Sequence, residues 1–195
     1  MHILNSARIH RKLNKIQVMG DTIKDLKLVV VGHGEHGKDE FCSILVSRLP
    51  ELKFTSSSYF ALDLFIYDAL KEQFGYTTRE ECYADRKTKR PLWHKLIKLF
   101  NYHDLAAFMR KLFAEYSVYC GNRDDDELDA GRAAELFDFV IFVDRSNVKP
   151  LEPPSSYNVS PRQYDIYIDN NGDMEQLSNE VDALIDFIRE LHSKD

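Results

Sequence analysis

Three glycines and a lysine, set between an apolar run and an amphipathic pattern, constrain this chain more than any other feature: Gly32-His33-Gly34-Glu35-His36-Gly37-Lys38-Asp39. Ahead of them lies Leu28-Val29-Val30-Val31, short, wholly apolar and β-branched, as a central parallel strand buried on both faces would be. Behind them Phe41, Ile44 and Leu45 recur on one face until Pro50, which predicts a helix from Lys38 to about Leu49. In that context GxxxxGK has a physical meaning. The glycines let the backbone turn its N–H groups inward at a helix N-terminus, and the lysine reaches the phosphates they cradle. The bland reading is an ordinary βα turn with a fortuitous lysine. The dinucleotide pattern GxGxxG is also present as Gly32, Gly34 and Gly37, but a lysine directly after the last glycine favours phosphoryl transfer. Moreover, Thr55 to Ser58 stands where a ribose-binding acid would be needed.

The alternation continues along the chain. Lys53-Phe54-Thr55 reads as a brief second strand, Tyr59 to Phe74 as a helix stopped at Gly75, and Arg79 to Tyr102 as a charged helical stretch. Leu105, Phe108, Met109 and Leu112 place another helix on the core, and Ser117 to Cys120 gives a strand. Asp124 to Leu136 opens with acids, which suit a helix N-terminus. Phe139 to Val143 and Tyr164 to Ile168 are the last strands, and Leu177, Val181, Leu184, Ile185, Ile188 and Leu191 mark a closing helix. Strands separated by helices imply right-handed crossovers. The expected class is therefore α/β in three layers, a parallel sheet of about five strands with helices on both faces, binding its ligand outside the carboxyl ends of the strands.

The division expected is an N-terminal extension, residues 1–25, ahead of one domain, 26–195. In the extension Ile9, Leu13 and Ile16 have the spacing of a short amphipathic helix. Two readings stand for it: a dispensable segment before a start at Met19, or an arm packed on the domain or on a second subunit. At 195 residues, 44% of them apolar, the chain can bury one full core. No run of about 18 apolar residues occurs and the first residues lack the pattern of a secretion signal, so a soluble, cytoplasmic protein without a membrane partner is expected. Cys42, Cys82 and Cys120 are far apart and form no CxxC pair, which leaves a disulfide framework or a zinc site without support. A net charge of −6 argues against coating nucleic acid through bulk electrostatics.

The loop, together with Phe54-Thr55-Ser56-Ser57-Ser58, Cys82-Tyr83-Ala84-Asp85-Arg86, Val118-Tyr119-Cys120-Gly121-Asn122-Arg123, Leu136-Phe137-Asp138 and Ile168-Asp169-Asn170-Asn171-Gly172, resembles the deoxynucleoside monophosphate kinases of large DNA bacteriophages. The resemblance runs from Leu26 to about Leu191, and only the loop is specific on its own. It implies a P-loop kinase fold, ATP and Mg²⁺ as cofactors, transfer of the γ-phosphate to a deoxynucleotide 5′-phosphate, and the host cytoplasm as location. Gly32, His33, Gly34, Glu35, His36, Gly37, Lys38, Asp39 and Glu40 would form the ATP site. Asp39 takes the place of the usual Ser or Thr. A carboxylate can serve Mg²⁺ there directly or through water, or it can be a helix-start acid only. Glu40 is a departure from the family, an acid where a hydroxyl usually lies near the α-phosphate. His33 and His36 flank the phosphate path and either contact it or stay in solvent.

An acceptor that is itself a phosphate ester needs cations, because phosphoryl transfer is mostly positioning plus neutralisation of spreading charge. Arg86 and Arg90 stand one helical turn apart in a basic stretch, and Arg123 follows a predicted strand and resembles the arginine that holds the monophosphate in this family. Lys38, Arg123 and Arg145 are the candidate catalytic cations, Arg145 either as a lid arginine or as a partner of Asp144. Ser57, Ser58, Tyr59 and Asp85 complete the candidate substrate contacts, although either serine can equally be a helix cap. The acceptor is expected to be a nucleotide. Two alternatives stay open: a hydroxyl on a modified base or on DNA, and a catalytically inactive nucleotide-binding module, which Asp39-Glu40 motivates. A homodimer is also open.

Overall fold

The computed structural model describes residues 1–4, 8–9 and 22–192. Leu13, Ile16 and Met19 lie outside the described residues, and so does most of the helix expected there. Six strands form one sheet: β1 (His2–Ile3), β2 (Leu28–Val31), β3 (Phe54–Ser56), β4 (Val118–Asn122), β5 (Phe139–Asp144) and β6 (Ile166–Asp169), in the order β1-β6-β5-β2-β4-β3. β2 to β6 are parallel, while β1 runs antiparallel on the edge, His2 opposite Tyr167. The sheet is thus mixed rather than purely parallel. A two-residue edge strand has too few positions to show a period, which is why the sequence pattern missed it.

The helices are α1 (Lys38–Arg48), α2, α3 (Arg79–Asp85), α4 (Arg90–Phe100), α5 (Ala107–Phe113), α6 (Asp125–Ala133) and α7 (Met174–His192). α2 starts as Ser57–Ala61, passes through a π-helical turn at Leu62–Ile66 and continues as Tyr67–Phe74. The charged stretch expected as one helix is two. A capping box between Thr78 and Glu81 starts α3, and Pro91 in the first turn of α4 forces a new beginning after the turn at Arg86.

Alternation in β2 sends its side chains to two cores. Leu28 and Val30 pack with Phe41 and Leu45 of α1 and with Leu177, Val181 and Leu184 of α7. Val29 and Val31 pack on the other face with Phe60, Ile66, Trp93, Phe108 and Leu112 from α2, α4 and α5. All four β2 residues are fully buried, and at about 1.5–3 kcal/mol for each buried aliphatic side chain this strand is the sheet's natural centre. The consequence for the site is positional. β2 ends beside β4 and β5, so the loop after it opens where the crossovers diverge to either side, which is where open α/β sheets place ligands.

Candidate functional site

The loop between β2 and α1 follows a path that needs its glycines. Gly32 at φ 150° and Gly37 at φ 82° adopt backbone conformations that L side chains rarely take. A Cβ on Gly32 would stand 2.5 Å from the Val143 carbonyl oxygen, and one on Gly37 would collide with the Asn170 side-chain amide. Asn170 in turn donates from Nδ2 to the His36 carbonyl at 2.9 Å, tying the loop to the end of β6. Lys38 is 8% exposed and donates from Nζ to the His33 carbonyl at 2.5 Å. Burial pulls its pKa below the ordinary lysine value.

Neither histidine sits free in solvent. His36 is fully buried and accepts the Arg145 amide on Nδ1 at 3.0 Å, while His33 accepts the Glu152 amide on Nδ1 at 3.0 Å and packs its ring 4.3 Å from that of Tyr157. An Nδ1 that accepts an amide hydrogen carries no proton, so this network fixes both rings as the neutral Nε2–H tautomer. Burial lowers both pKa values, which favours the same form. The two rings act as braces between the loop and the segment that follows β5.

That segment crosses the loop as a strap. The Glu152 carboxylate accepts the Gly34 amide on Oε2 at 2.5 Å and is held by Arg123 Nη1 at 2.7 Å, with Arg90 Nη1 at 3.5 Å from Oε1. Burial raises the Glu152 pKa, but the Arg123 guanidinium and the Gly34 amide outweigh it and hold the carboxyl below its ordinary value. Lys149, earlier in the strap, pairs with the exposed Glu35 at 3.0 Å. An anionic oxygen of the chain itself therefore occupies the loop's inward-facing amide.

Arg90 and Arg123 also line a cavity of about 460 Å³, roofed by strap residues from Pro154 to Asn158 and walled by Ser57, Ser58, Arg86 and Trp93. Ser57 Oγ donates to the Gly121 carbonyl at 3.1 Å, and Arg86 Nη1 donates to Ser58 Oγ at 2.8 Å. The cap of α2 is Ser56, whose hydroxyl accepts the Tyr59 amide at 3.2 Å, so Ser57 and Ser58 are left to face the cavity. Arg86 and Arg90 do not share a helix: one closes α3 and the other opens α4, and both meet the cavity from the turn between them.

Other sequence candidates are placed elsewhere. The Asp85 carboxylate is taken by Tyr76 Oη at 2.5 Å, by the Thr88 hydroxyl and by Lys89 at 3.4 Å, and it does not line the cavity. Tyr59 is 49% exposed and rests its ring 4.7 Å from that of Tyr83. Arg145 does not pair with Asp144, whose carboxylate receives Tyr167 Oη at 2.8 Å and the Ser146 hydroxyl at 3.0 Å. Glu35 and Glu40 are exposed.

Two functional candidates escaped the sequence reading, Glu152 in the strap and Glu127 in the cavity wall. Proline-flanked loop acids such as Glu152 carry no periodic signal, and Glu127 is hidden in a run of acids that α6 needs at its N-terminus.

ATP and Mg²⁺ both suit the residues present. The Gly34 amide donates to the Glu152 carboxylate, a stand-in for an anionic phosphate oxygen, and Lys38 lies in the same field. Asp39 opens α1 with an exposed carboxylate, its Oδ1 3.6 Å from Cys120 Sγ. One carboxylate, phosphate oxygens and waters are the ligand set Mg²⁺ commonly takes. Among the described residues no cluster of three or more His, Cys, Asp or Glu is arranged to hold a metal by itself.

No family model and no curated protein matches the chain. Among solved structures, a gluconokinase from Sinorhizobium meliloti 1021 is similar at a TM-score of 0.46 and 14% identity, over 86% of this chain and 95% of that one. A shikimate kinase from Bacteroides thetaiotaomicron is similar at a TM-score of 0.46 and 9% identity, over 84% of this chain and 98% of that one.

Proposed function

We propose that the chain is an ATP-dependent nucleoside monophosphate kinase, passing the γ-phosphoryl group to a deoxynucleoside 5′-monophosphate. The observation that carries this reading is the Glu152 carboxylate, where a loop amide and two guanidinium groups converge on one anion at the boundary between the loop and the cavity. A transferring phosphoryl group needs such a convergence, since its charge spreads over the equatorial oxygens.

In this reading the amides of residues 32 to 38 cradle the β- and γ-phosphates and Lys38 moves from the His33 carbonyl onto them. Asp39, directly or through water, would hold Mg²⁺, which would supply positive charge to the phosphates. Arg86 and Arg90 seat the acceptor phosphate beside Ser57 and Ser58, and Arg123 bridges acceptor and transferring groups. An acceptor phosphate oxygen attacks the γ-phosphorus as the β–γ bridging bond breaks, and ADP leaves with that electron pair. No protein nucleophile takes part. Arg145, with its amide on His36 at the loop, is the lid cation on the transferring phosphoryl group.

The decisive experiment offers ATP·Mg²⁺ with each common dNMP and NMP and measures ADP formed, with Lys38→Ala as the control. Turnover with a monophosphate that vanishes in the control supports the reading, and turnover only with modified or duplex DNA moves the acceptor to a hydroxyl. One observation favours a second reading, a nucleotide-binding module without turnover: Lys38 and the Gly34 amide are both already engaged within the chain. Calorimetric binding of ATP without ADP formation for any acceptor would select it.

A further inference from the structure

Glu127 is a buried acid that the proposed phosphoryl transfer does not use. It stands in the first turn of α6, 6% exposed, and lines the same cavity as Arg86, Arg90 and Arg123. Its Oε1 accepts the Tyr119 hydroxyl from β4 at 3.2 Å. The Asn122 side chain also lies against the carboxyl, and Oε2 is the oxygen that Tyr119 leaves open in the cavity wall. We propose that Glu127 determines specificity in the acceptor pocket, donating a hydrogen bond from Oε2 to an uncharged acceptor atom, a ring carbonyl oxygen or imine nitrogen, on the nucleobase of a nucleoside monophosphate. The inference rests on the kinase reading for its choice of ligand.

The chemistry follows from the surroundings. Burial pushes the Glu127 carboxyl up to about 8, and the neighbouring Asp124 acts in the same direction against the Tyr119 and Asn122 side chains. At neutral pH the group is the neutral acid. With Tyr119 donating to Oε1, the acid hydrogen belongs on Oε2, which makes that oxygen a donor. The side chains acting on it are Tyr119 from β4, Asn122 at the end of β4 and Asp124 from the cap of its own helix, while Arg86, Arg90, His94, Lys98, Arg123, Asp126 and Tyr157 line the same cavity. Lys98 is engaged with Asp124 at 3.5 Å and Arg123 with Glu152, so neither cation is an ion-pair partner of Glu127. A ligand with an anionic end for the arginines and a flat polar end for an acid hydroxyl is a mononucleotide, whereas a bare sugar phosphate leaves the Glu127 hydrogen without a partner. A site built to hydrogen-bond one atom of its ligand discriminates strongly against ligands lacking it.

The test is equilibrium binding without ATP, so that it is read apart from turnover. The ligands are the four deoxynucleoside monophosphates and ribose 5-phosphate, which titrates its phosphate alike and has no base. Wild type, Glu127→Gln and Glu127→Ala are compared at about pH 6.5 and about pH 9, on either side of the Glu127 titration. Wild type is expected to bind its preferred monophosphate about tenfold tighter than ribose 5-phosphate at the lower pH, a difference of one hydrogen bond, and to lose that margin at the higher pH. Glu127→Gln, whose amide accepts from Tyr119 and donates to the base at any pH, keeps the margin at both. Glu127→Ala binds the two ligands alike. The inference is overturned if the margin survives in Glu127→Ala, if Glu127→Gln loses it with pH as wild type does, or if ribose 5-phosphate binds as well as every monophosphate. Should the alanine variant fail to fold, the pH comparison between wild type and Glu127→Gln decides alone. This binding pattern in a chain that forms no ADP would keep the inference and remove the kinase reading.

Discussion

The Glu152 carboxylate meets the Gly34 amide at 2.5 Å, so the anion nest of the loop is filled by the chain's own strap. The same carboxylate neutralises Arg123 at 2.7 Å, and the strap backbone is pinned through Glu152 N to His33 at 3.0 Å. In the proposed function a nucleotide phosphate would displace this carboxylate, and the displaced strap would free Arg90 and Arg123 for the phosphates. Binding and exposure of the cations are thereby coupled, since a ligand can shift such an equilibrium only by its differential affinity for the open state.

Glu152→Gln removes the charge while keeping the size. Charge-assisted hydrogen bonds contribute about 1.5–3 kcal/mol each, and one decade in affinity is about 1.4 kcal/mol. The dissociation constant for ATP, measured by calorimetry, is therefore expected to fall about tenfold in Glu152→Gln. Unchanged or weaker binding would mean that Glu152 supports the nest rather than competes for it.

Lys38 donates to the His33 carbonyl at 2.5 Å, within the charge field of Glu152 and Arg123. Lys38→Ala is expected to lower single-turnover ADP formation at least about 100-fold, the loss typical of one preorganised transition-state donor. Its melting temperature should stay close to that of wild type, because burial already disfavours the charge that the substitution removes. A variant with near-normal turnover would leave the loop without a role in the chemistry.

What could be read in the sequence was local. β2, the glycine loop and α1 are consecutive, so their pattern and their geometry coincide, and the glycine positions could be argued before any coordinates. Contacts made across long separations could not. Glu152 and Gly34 are 118 residues apart, and a proline-flanked acid gives no period to follow. Arg86 and Arg90 looked like neighbours on one helix, but Pro91 starts a second helix and brings them to the cavity from either side of a turn. Glu127 shares its stretch with Asp124, Asp125 and Asp126, whose presence at a helix N-terminus already has an explanation, and only burial singles it out. Asp85 followed the motif yet is spent on Tyr76 and Thr88, because side-chain direction on a short helix is set by packing rather than by spacing.

Asp165 offers a test of the fold away from the crevice. Its carboxylate is fully buried, accepts the Val140 amide at 2.8 Å, and pairs with Arg8 at 2.8 Å and Arg132 at 3.3 Å. Removing one partner of a buried pair typically costs about 3–5 kcal/mol, because the other charge is left behind. At roughly 2–4 °C per kcal/mol for a chain of this size, Asp165→Ala should melt at least about 6 °C lower than wild type. A shift within a degree or two would show that the arginines find other partners at no cost.

Glu127 gives a pH signature in stability that needs no ligand. Its carboxyl is raised from an ordinary 4.5 to about 8 in the folded chain, so between those values the folded state keeps a proton that the unfolded state has released. The stabilising contribution is complete below about 4.5 and is lost as pH rises through about 8, at no more than about 1.4 kcal/mol for each pH unit. Glu127→Gln carries no proton to lose. Urea denaturation at a series of pH values should therefore show the variant gaining on wild type steadily from acid to about pH 8, while the two curves run together below pH 4.5, where both side chains are neutral. Parallel curves over the whole range would mean that Glu127 ionises in the folded chain as it does in water, which would also remove the donor from the cavity wall.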